Sequence, residues 1–423
     1  MSWTPSDGEH IHVVGVAGVG MSALAQALLD RGFRVSGSDR YLDQQQQVDM
    51  LDTLRLAGVK LTSQDGSGVG DDCSCIAVST AIEEDNPDLL AARKKSIPVV
   101  HRAELLARLT VGKHLLAVTG TAGKTTVTGM LGHICAEAGF DPMVVNGGIV
   151  NNWREEDRVG SVRHGAGQLM IIEADESDRS LLKFAPDYAV ITNISKDHFE
   201  LEEVEQLFAA FAAKTKNWVL SGAPLATEIS ISGRSMTLDG DAYPLPMPGR
   251  HNAENAAIAI RAARKLGVAP DVIARALSTF RGIHRRLEVA ARSGGVVVLD
   301  DYAHNPAKIA ASWRAAAEDA ERVLGIWRPH GYGPLSLLFD ELVAALKSVM
   351  RPQDKFFVLP VYYAGGTAQK TNDAQRLAET LAAHHREAEF IADYPTLKKR
   401  LQSLARPGDV ILGMGARDPE LPV

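Results

Sequence analysis

Leu115-Leu116-Ala117-Val118-Thr119-Gly120-Thr121-Ala122-Gly123-Lys124-Thr125-Thr126 is the stretch whose reading decides the fold. Its apolar start suits a buried strand, the glycines break that strand, and a helical pattern restarts at Lys124. A strand turning directly into a helix presents the orphan N–H groups of the helix start. A lysine beside them adds a point charge, so the turn suits a polyphosphate. The general phosphate-loop pattern asks for Gly-x-x-x-x-Gly-Lys-[Ser/Thr]; Val118 occupies the first glycine position here, which makes the loop a tight variant. Gly120, Thr121 and Gly123 would line the phosphates of ATP or a close relative, Lys124 would reach the β and γ groups, and Thr125 would offer a hydroxyl to Mg²⁺.

Outward from this loop, apolar strand-like runs alternate with amphipathic helical patterns, the signature of an α/β protein with mostly parallel sheets. Three blocks separate. The first holds strands at 11–16, 34–37, 75–79 and 97–101 with a helix over 20–32. The second starts near Thr110 with the loop and adds strands at 169–173 and 188–192, a Pro-rich break over 243–249 and a helix over 252–266. The third begins around Arg285, with strands at 296–299, 322–326, 355–359 and 409–412. Ligands of open α/β sheets gather at the carboxyl ends of strands. There the second block carries Glu173-Ala174-Asp175-Glu176-Ser177-Asp178, acids suited to Mg²⁺, and a loop with Asn193 and His198.

The opening glycines run Gly15-Val16-Ala17-Gly18-Val19-Gly20, with Ser38-Asp39 after the next strand. The order is Gly-x-x-Gly-x-Gly, not the dinucleotide fingerprint. Two readings stay open: a diphosphate at the helix start with Asp39 near a ribose or base, or glycines chosen only for close packing of helix on strand.

At 423 residues the chain suggests two to four domains, at about 100–200 residues each. Hydrophobic content of 45% and charged content of 23% are those of an ordinary globular protein. A net charge of −7 without a long basic run lacks the footprint of a nucleic-acid binder. No basic-then-apolar leader and no membrane-length apolar run appear, so a cytoplasmic enzyme with no membrane partner is expected. Cys73, Cys75 and Cys135 lack zinc-site spacing and read as buried, reduced thiols.

The set Gly-Thr-Ala-Gly-Lys-Thr-Thr, Glu-Ala-Asp-Glu-Ser-Asp, Thr192-Asn-Ile-x-x-Asp-His198, Pro248-Gly-Arg-His-Asn-Ala-x-Asn255 and Asp300-Asp-Tyr-Ala-His-Asn-Pro306 resembles the Mur ligase family, in order and along essentially the whole chain. The resemblance implies three domains: a Rossmann-like UDP-sugar domain over 1–109, a P-loop ATPase-like domain over 110–284 and a Rossmann-like amino-acid domain over 285–423. It implies ATP and Mg²⁺, with Lys124 on the transferring phosphate, Gly120, Thr121, Gly123, Thr126, Asn255, Arg285 and Asp301 around ATP, and Thr125, Glu173 and His198 on metal. Gly15, Gly18, Gly20, Ser38 and Asp39 would hold the UDP, and His304 and His330 would lie near the incoming amino acid. The first block, with Val-Ser-Gly-Ser-Asp and Ile97-Pro-Val-Val-His-Arg-Ala-Glu-Leu-Leu106, is most similar to the alanine-adding branch, followed by the branch that recycles murein tripeptide. The implied activity is ATP-dependent, ADP-forming ligation of an amino acid, L-alanine first, to the carboxylate of UDP-N-acetylmuramate through an acyl phosphate, by a monomer or homodimer.

The chain departs from the alanine-adding pattern at Ala122, where a histidine is usual, and at Pro329-His330-Gly331-Tyr332-Gly333-Pro334, which lacks two arginines. The segment between Lys216 and Pro248 is short, Gln64-Asp65 replaces a Gly-His pair, and Lys214 reads as a solvated helix residue, not a carbamylated metal bridge. These departures bear on the substrate, including a different acceptor or murein tripeptide, more than on ATP. A phosphotransferase or NTPase without amide formation, and a silent UDP-sugar-binding scaffold, are the rival readings.

Overall fold

The structure, a computed structural model, describes residues 8–44, 48–195, 200–222, 228–362, 373–416 and 421. Strand His114–Thr119 is buried from Leu115 onward and is the third-to-last of six in its sheet. The order is Val162–Arg163, Met143–Val145, Leu169–Glu173, His114–Thr119, Tyr188–Ile191, Trp218–Ser221. All neighbours are parallel except the first pair. Its apolar strands carry almost no polar alternation, as expected where helices cover both faces.

A second, wholly parallel sheet runs Lys60–Thr62, Arg34–Ser38, His10–Val14, Cys73–Val78, Val99–His101. One continuous apolar cluster joins Ile11, Val35 and Leu54 of this sheet's layer to Leu115, Met170 and Phe208 of the other. Helix Val19–Asp30 shows why: residues Met21 to Leu28 are all buried, so it has no solvent face of the usual amphipathic kind. Both sheets therefore lie in one compact unit, Met1–Pro246 with Glu254–Ile283.

Met247–Ala253 with His284–Val423 forms the other unit. Its sheet runs Glu288–Ser293, Val296–Asp301, Asp409–Met414, Arg322–Trp327, Lys355–Val358, Glu387–Phe390, antiparallel only in the first pair. Trp313, on helix Pro306–Ala317, is fully buried and donates its indole N–H to Asp354 at 3.1 Å.

The alternation of strands and helices is as read from the sequence, with strand ends moved by one or two residues. One expectation needs correction. The Pro-rich 243–249 stretch does not break all regular structure, because strand Asp241–Pro244 pairs antiparallel with Ser235–Leu238, itself paired with Ser230–Ser232. Pro244 is tolerated because its strand is an edge strand, where a missing N–H costs no ladder bond. The glutamine run is described only at Gln44, and His198 lies outside the described residues. Cys73, Cys75 and Cys135 are buried and unpaired, and burial pushes the Cys135 thiol up to about 12.

Gly325 lies against Trp313: a Cβ there would come within 2.1 Å of the indole ring. Gly325→Ala is therefore expected to lower the stability of this unit by about 1–3 kcal/mol or more, read as a shift in urea midpoint by circular dichroism. An unchanged midpoint would contradict the packing.

Candidate active site

The loop after strand His114–Thr119 lies where the strand order reverses, between Leu169–Glu173 on one side and Tyr188–Ile191 on the other. That crevice at the carboxyl edge is the preferred ligand site of such sheets. Gly120 (φ +130°) and Gly123 (φ +81°) adopt backbone that L side chains rarely take. A Cβ would lie 2.1 Å from the Thr192 hydroxyl at Gly120 and 2.2 Å from the Asn255 amide oxygen at Gly123. Asn255 is thus seated on the loop itself. Asn193 and Thr192 secure the other side: Asn193 Oδ1 accepts from Ala122 N at 2.8 Å and Thr121 Oγ1 at 3.0 Å, and Thr192 Oγ1 donates to Ala122 O at 2.6 Å. Thr126 is buried in the first turn of helix Lys124–Glu137.

Parallel register sets Glu173 beside Val118, which brings the acids to the helix start. Lys124 Nζ donates to Glu176 Oε2 at 2.6 Å and to Gly120 O at 2.8 Å, with Asp175 Oδ1 4.0 Å away. Thr125 Oγ1 donates to Glu173 Oε1 at 3.2 Å, and Gly147 N donates to Glu173 Oε2 at 2.7 Å. Burial pushes the Glu173 and Glu176 carboxyls above the usual range, against the pull of Lys124 on both. Burial pushes Asp175 up as well, but Lys124, Ser177 and Arg102 together outweigh it and hold Asp175 low.

Thr125 and Glu173 offer the hard oxygens that Mg²⁺ takes alongside retained waters and phosphates, so this donor set fits that ion. Among the described residues no cluster of three or more His, Cys, Asp or Glu side chains forms an all-protein metal cage. The glycine cradle, which any Cβ would fill, likewise fits a nucleotide phosphate chain. Lys214 is exposed at the end of helix Leu201–Ala213, and its ammonium donates to Leu182 O at 2.5 Å.

In the first sheet, Gly15 takes φ +71°, and Ser38 O accepts from Gly15 N at 2.8 Å and Val16 N at 3.0 Å. Asp39 clamps the same turn through Ala17 N at 2.9 Å and caps helix Arg40–Asp43 through Tyr41 N. Ser38 Oγ donates to the buried Asp88, which also bonds Gly66 N and lies beside His12. Gly18 and Gly20 open helix Val19–Asp30 and line a cavity of about 320 Å³ that reaches Gly147, Glu173 and Asp175.

The other unit gathers its polar residues at the same kind of strand edge. Asp301 is buried and accepts from Leu287 N, Ala303 N and Ser312 Oγ, which makes it the brace of the loop after its strand. Arg285 has left-handed backbone (φ +56°), held by bonds to Glu288, Asp300 and Gly415 O. Such strain persists where surrounding bonds over-determine it. His304 Nδ1 lies 2.9 Å from Tyr302 O, and its ring meets that of His330 edge-on at 5.4 Å. Burial lowers the His304 pKa to about 4, so its imidazole is neutral at pH 7.

Three family models match the chain in order: Mur ligase family, catalytic domain, over 10–114; Mur ligase middle domain over 118–223; and Mur ligase, glutamate ligase domain, over 285–417. The chain belongs to the Mur ligase family. A UDP-N-acetylmuramate--L-alanine ligase of Sinorhizobium fredii is 34% identical over 96% of this chain and 94% of its own length. The protein of that name from Bradyrhizobium diazoefficiens is also 34% identical, over the same shares. The crystal structure of a UDP-N-acetylmuramate-alanine ligase from Thermotoga maritima, 27% identical, covers 97% of this chain and 96% of its own, with a TM-score of 0.78. A murein peptide ligase of Psychrobacter arcticus, 21% identical with a TM-score of 0.67, shares the fold. The three-part Mur ligase architecture is therefore that of this protein.

Two contributors to this Mur ligase site escaped the sequence reading. Gly147, in the Asn146-Gly147-Gly148 turn, bonds Glu173 from a strand end 26 residues away, and Arg102 faces the acid loop from the first sheet's side. Only the Asn-Gly-Gly turn signal pointed toward the former.

A Cβ at Gly147 would sit 2.5 Å from both Glu173 oxygens. Gly147→Ala is expected to weaken Mg²⁺-dependent binding of a non-hydrolysable ATP analogue by about tenfold or more, given the steep cost of small misplacements in such sites, by calorimetry. For His304 the folded pKa lies below the ordinary 6.5, so the unfolded chain binds more protons between about pH 4 and 6.5 and stability falls as pH drops through that window. His304→Gln should flatten this slope in urea midpoints measured from pH 4.5 to 7; an unaltered slope would refute the assignment.

Proposed function

We propose that this chain is an ATP-dependent, ADP-forming ligase that joins L-alanine to the carboxylate of UDP-N-acetylmuramate in peptidoglycan synthesis. The observation that carries the reading is Lys124 and Thr125 at a phosphate loop bonded to Glu176 and Glu173, in a chain that aligns over 96% of its length with ligases of that name. The domains over 1–109, 110–284 and 285–423 would receive the UDP-sugar, ATP and the amino acid. The reaction is set in the cytoplasm; among the described residues no helix is long and apolar enough to cross a membrane.

A carboxylate is a poor acyl donor. In the proposed sequence its oxygen attacks the γ-phosphorus of ATP, the bond to the β-phosphate oxygen breaks and ADP leaves. The amine then attacks the acyl carbon of the acyl phosphate, loses a proton, and expels inorganic phosphate. Mg²⁺ held by Thr125 and Glu173, with His198, would supply neutralising charge to the phosphates. Lys124 adds a fixed positive charge where negative charge builds up, and the backbone N–H groups at the helix start, from Gly123 to Thr125, orient the phosphate chain. Asn255 supports the loop that faces ATP, with Arg285 and Asp301 assigned to ATP from the other unit. Gly15, Gly18, Gly20, Ser38 and Asp39 are assigned to the UDP moiety. His304 and His330 are assigned to the incoming amino acid, where a neutral His304 imidazole would accept from an ammonium without repelling it.

The test supplies purified chain with ATP, Mg²⁺, UDP-N-acetylmuramate and, in turn, L-alanine, other amino acids and murein tripeptide, following phosphate release and product mass. Phosphate should appear only with both carboxylate and amine, with L-alanine the best acceptor, and Lys124→Ala should cut kcat by about 10²–10³-fold. Tripeptide outrunning L-alanine would move the protein to the recycling reaction. ATP turnover indifferent to the amine would end the ligase reading.

A further inference from the structure

Arg102 occupies a place that fold stability alone does not favour. It is the first residue of helix Arg102–Leu109, and its guanidinium also lies on the first turn of helix Val19–Asp30, where a Cβ on Gly20 would meet Nη1 at 2.8 Å. A cation at the positive end of two helices is electrostatically opposed by both. Helix Val19–Asp30 has no acidic residue in its first turn to offset this. What holds the guanidinium is the acid loop: its Nη2 lies 3.7 Å from Asp178 Oδ2 and 4.0 Å from Asp175 Oδ2. These separations exceed those of charge-assisted hydrogen bonds, about 2.7–2.9 Å.

The cavity places this arginine between two demands. Gly18 and Gly20 line the cavity, and so do Glu173 and Asp175. An anion docking on the glycine turn would share the cavity with the carboxylates of Glu173 and Asp175, and the guanidinium reaches both, with Nη1 beside Gly20 and Nη2 toward Asp175 and Asp178. The planar fork of arginine pairs bidentately with phosphate, with donors left for a carboxylate.

Building on the UDP-sugar reading above, we propose that Arg102 binds the diphosphate of the UDP-sugar, and that Asp175 and Asp178 are positioning residues that hold its guanidinium over the glycine turn and that repel the diphosphate once the arginine is gone. The two roles make opposite predictions for the same carboxylate: Asp178 is neutral or helpful to binding when Arg102 is present and harmful when it is absent. A residue that merely packs would not produce that reversal.

The probe is UDP, titrated calorimetrically into the full chain, with ADP binding as the check on folding. Arg102→Met should weaken UDP binding at least tenfold while ADP affinity stays within twofold; Arg102→Lys, which keeps a point charge but not the fork, should recover part of the loss. Asp178→Asn alone should change UDP affinity less than threefold, and Arg102→Met/Asp178→Asn should bind UDP at least threefold more tightly than Arg102→Met. A loss under threefold in Arg102→Met overturns the assignment of the arginine. A double variant no better than the single one overturns the role given to the acids. Should Arg102→Met also lose ADP binding, Arg102→Lys decides: with ADP affinity kept, UDP affinity equal to wild type overturns the assignment and a partial loss supports it. Wild type that binds no UDP overturns the functional reading itself, a result distinct from UDP binding that ignores Arg102.

Discussion

Everything at the phosphate loop depends on one buried ion pair, Lys124 with Glu176. The lysine is 13% exposed and the glutamate 2%, so both charges are largely taken out of water. A pair of this kind is weak evidence for stability, because desolvation consumes most of the Coulombic gain; losing one partner nevertheless leaves a stranded charge, at a cost of about 3–5 kcal/mol. Its value here is geometric. With Gly120 O as a further acceptor, the ammonium is folded back into the loop and held where phosphate oxygens are proposed to arrive. Asp175, 4.0 Å from Lys124 on one oxygen and 4.0 Å from Arg102 on the other, extends the same network toward the first sheet.

That network exists because two sheets share one apolar core. Helix Val19–Asp30 is buried from Met21 to Leu28 in the core that both sheets share, while Gly18 and Val19 at its start stay exposed. The helix start lines a cavity that Glu173 and Asp175 of the second sheet also line. The glycine turn thereby shares one space with Glu173 and Asp175, the acids that meet Thr125 and Lys124 of the phosphate loop. The ion pair between Arg158 and Asp30 adds a polar tie across the same packing.

Much of this was legible in the residues. Apolar strands buried on both faces, glycines at positive φ and helix starts are local properties, written in stretches such as Leu115–Thr126 and Leu169–Glu173. The small antiparallel sheet over 230–244 was not, because its strands are short and partly polar and look like loop until they pair. Ser38 and Asp39 were picked out as polar residues at a strand end, but their bonds to Asp88, Ala17 and Tyr41, which bind them into the turn, span up to 50 residues. Asp301 likewise reads as a ligand-side acid, yet each oxygen already accepts from the chain itself.

By itself, then, the sequence determined the alternating α/β architecture, the phosphate loop and its acids, and the family, since all rest on residue types at short spacing. Tertiary structure alone decided which carboxylate meets which cation: Glu176 with Lys124, Glu173 with Thr125 and Gly147, Asp175 and Asp178 with Arg102. The reason is physical. Periodicity and turn chemistry act over a few residues, whereas the partners of a buried charge are set by strand order and register, which bring together segments 26 to 76 residues apart in the chain.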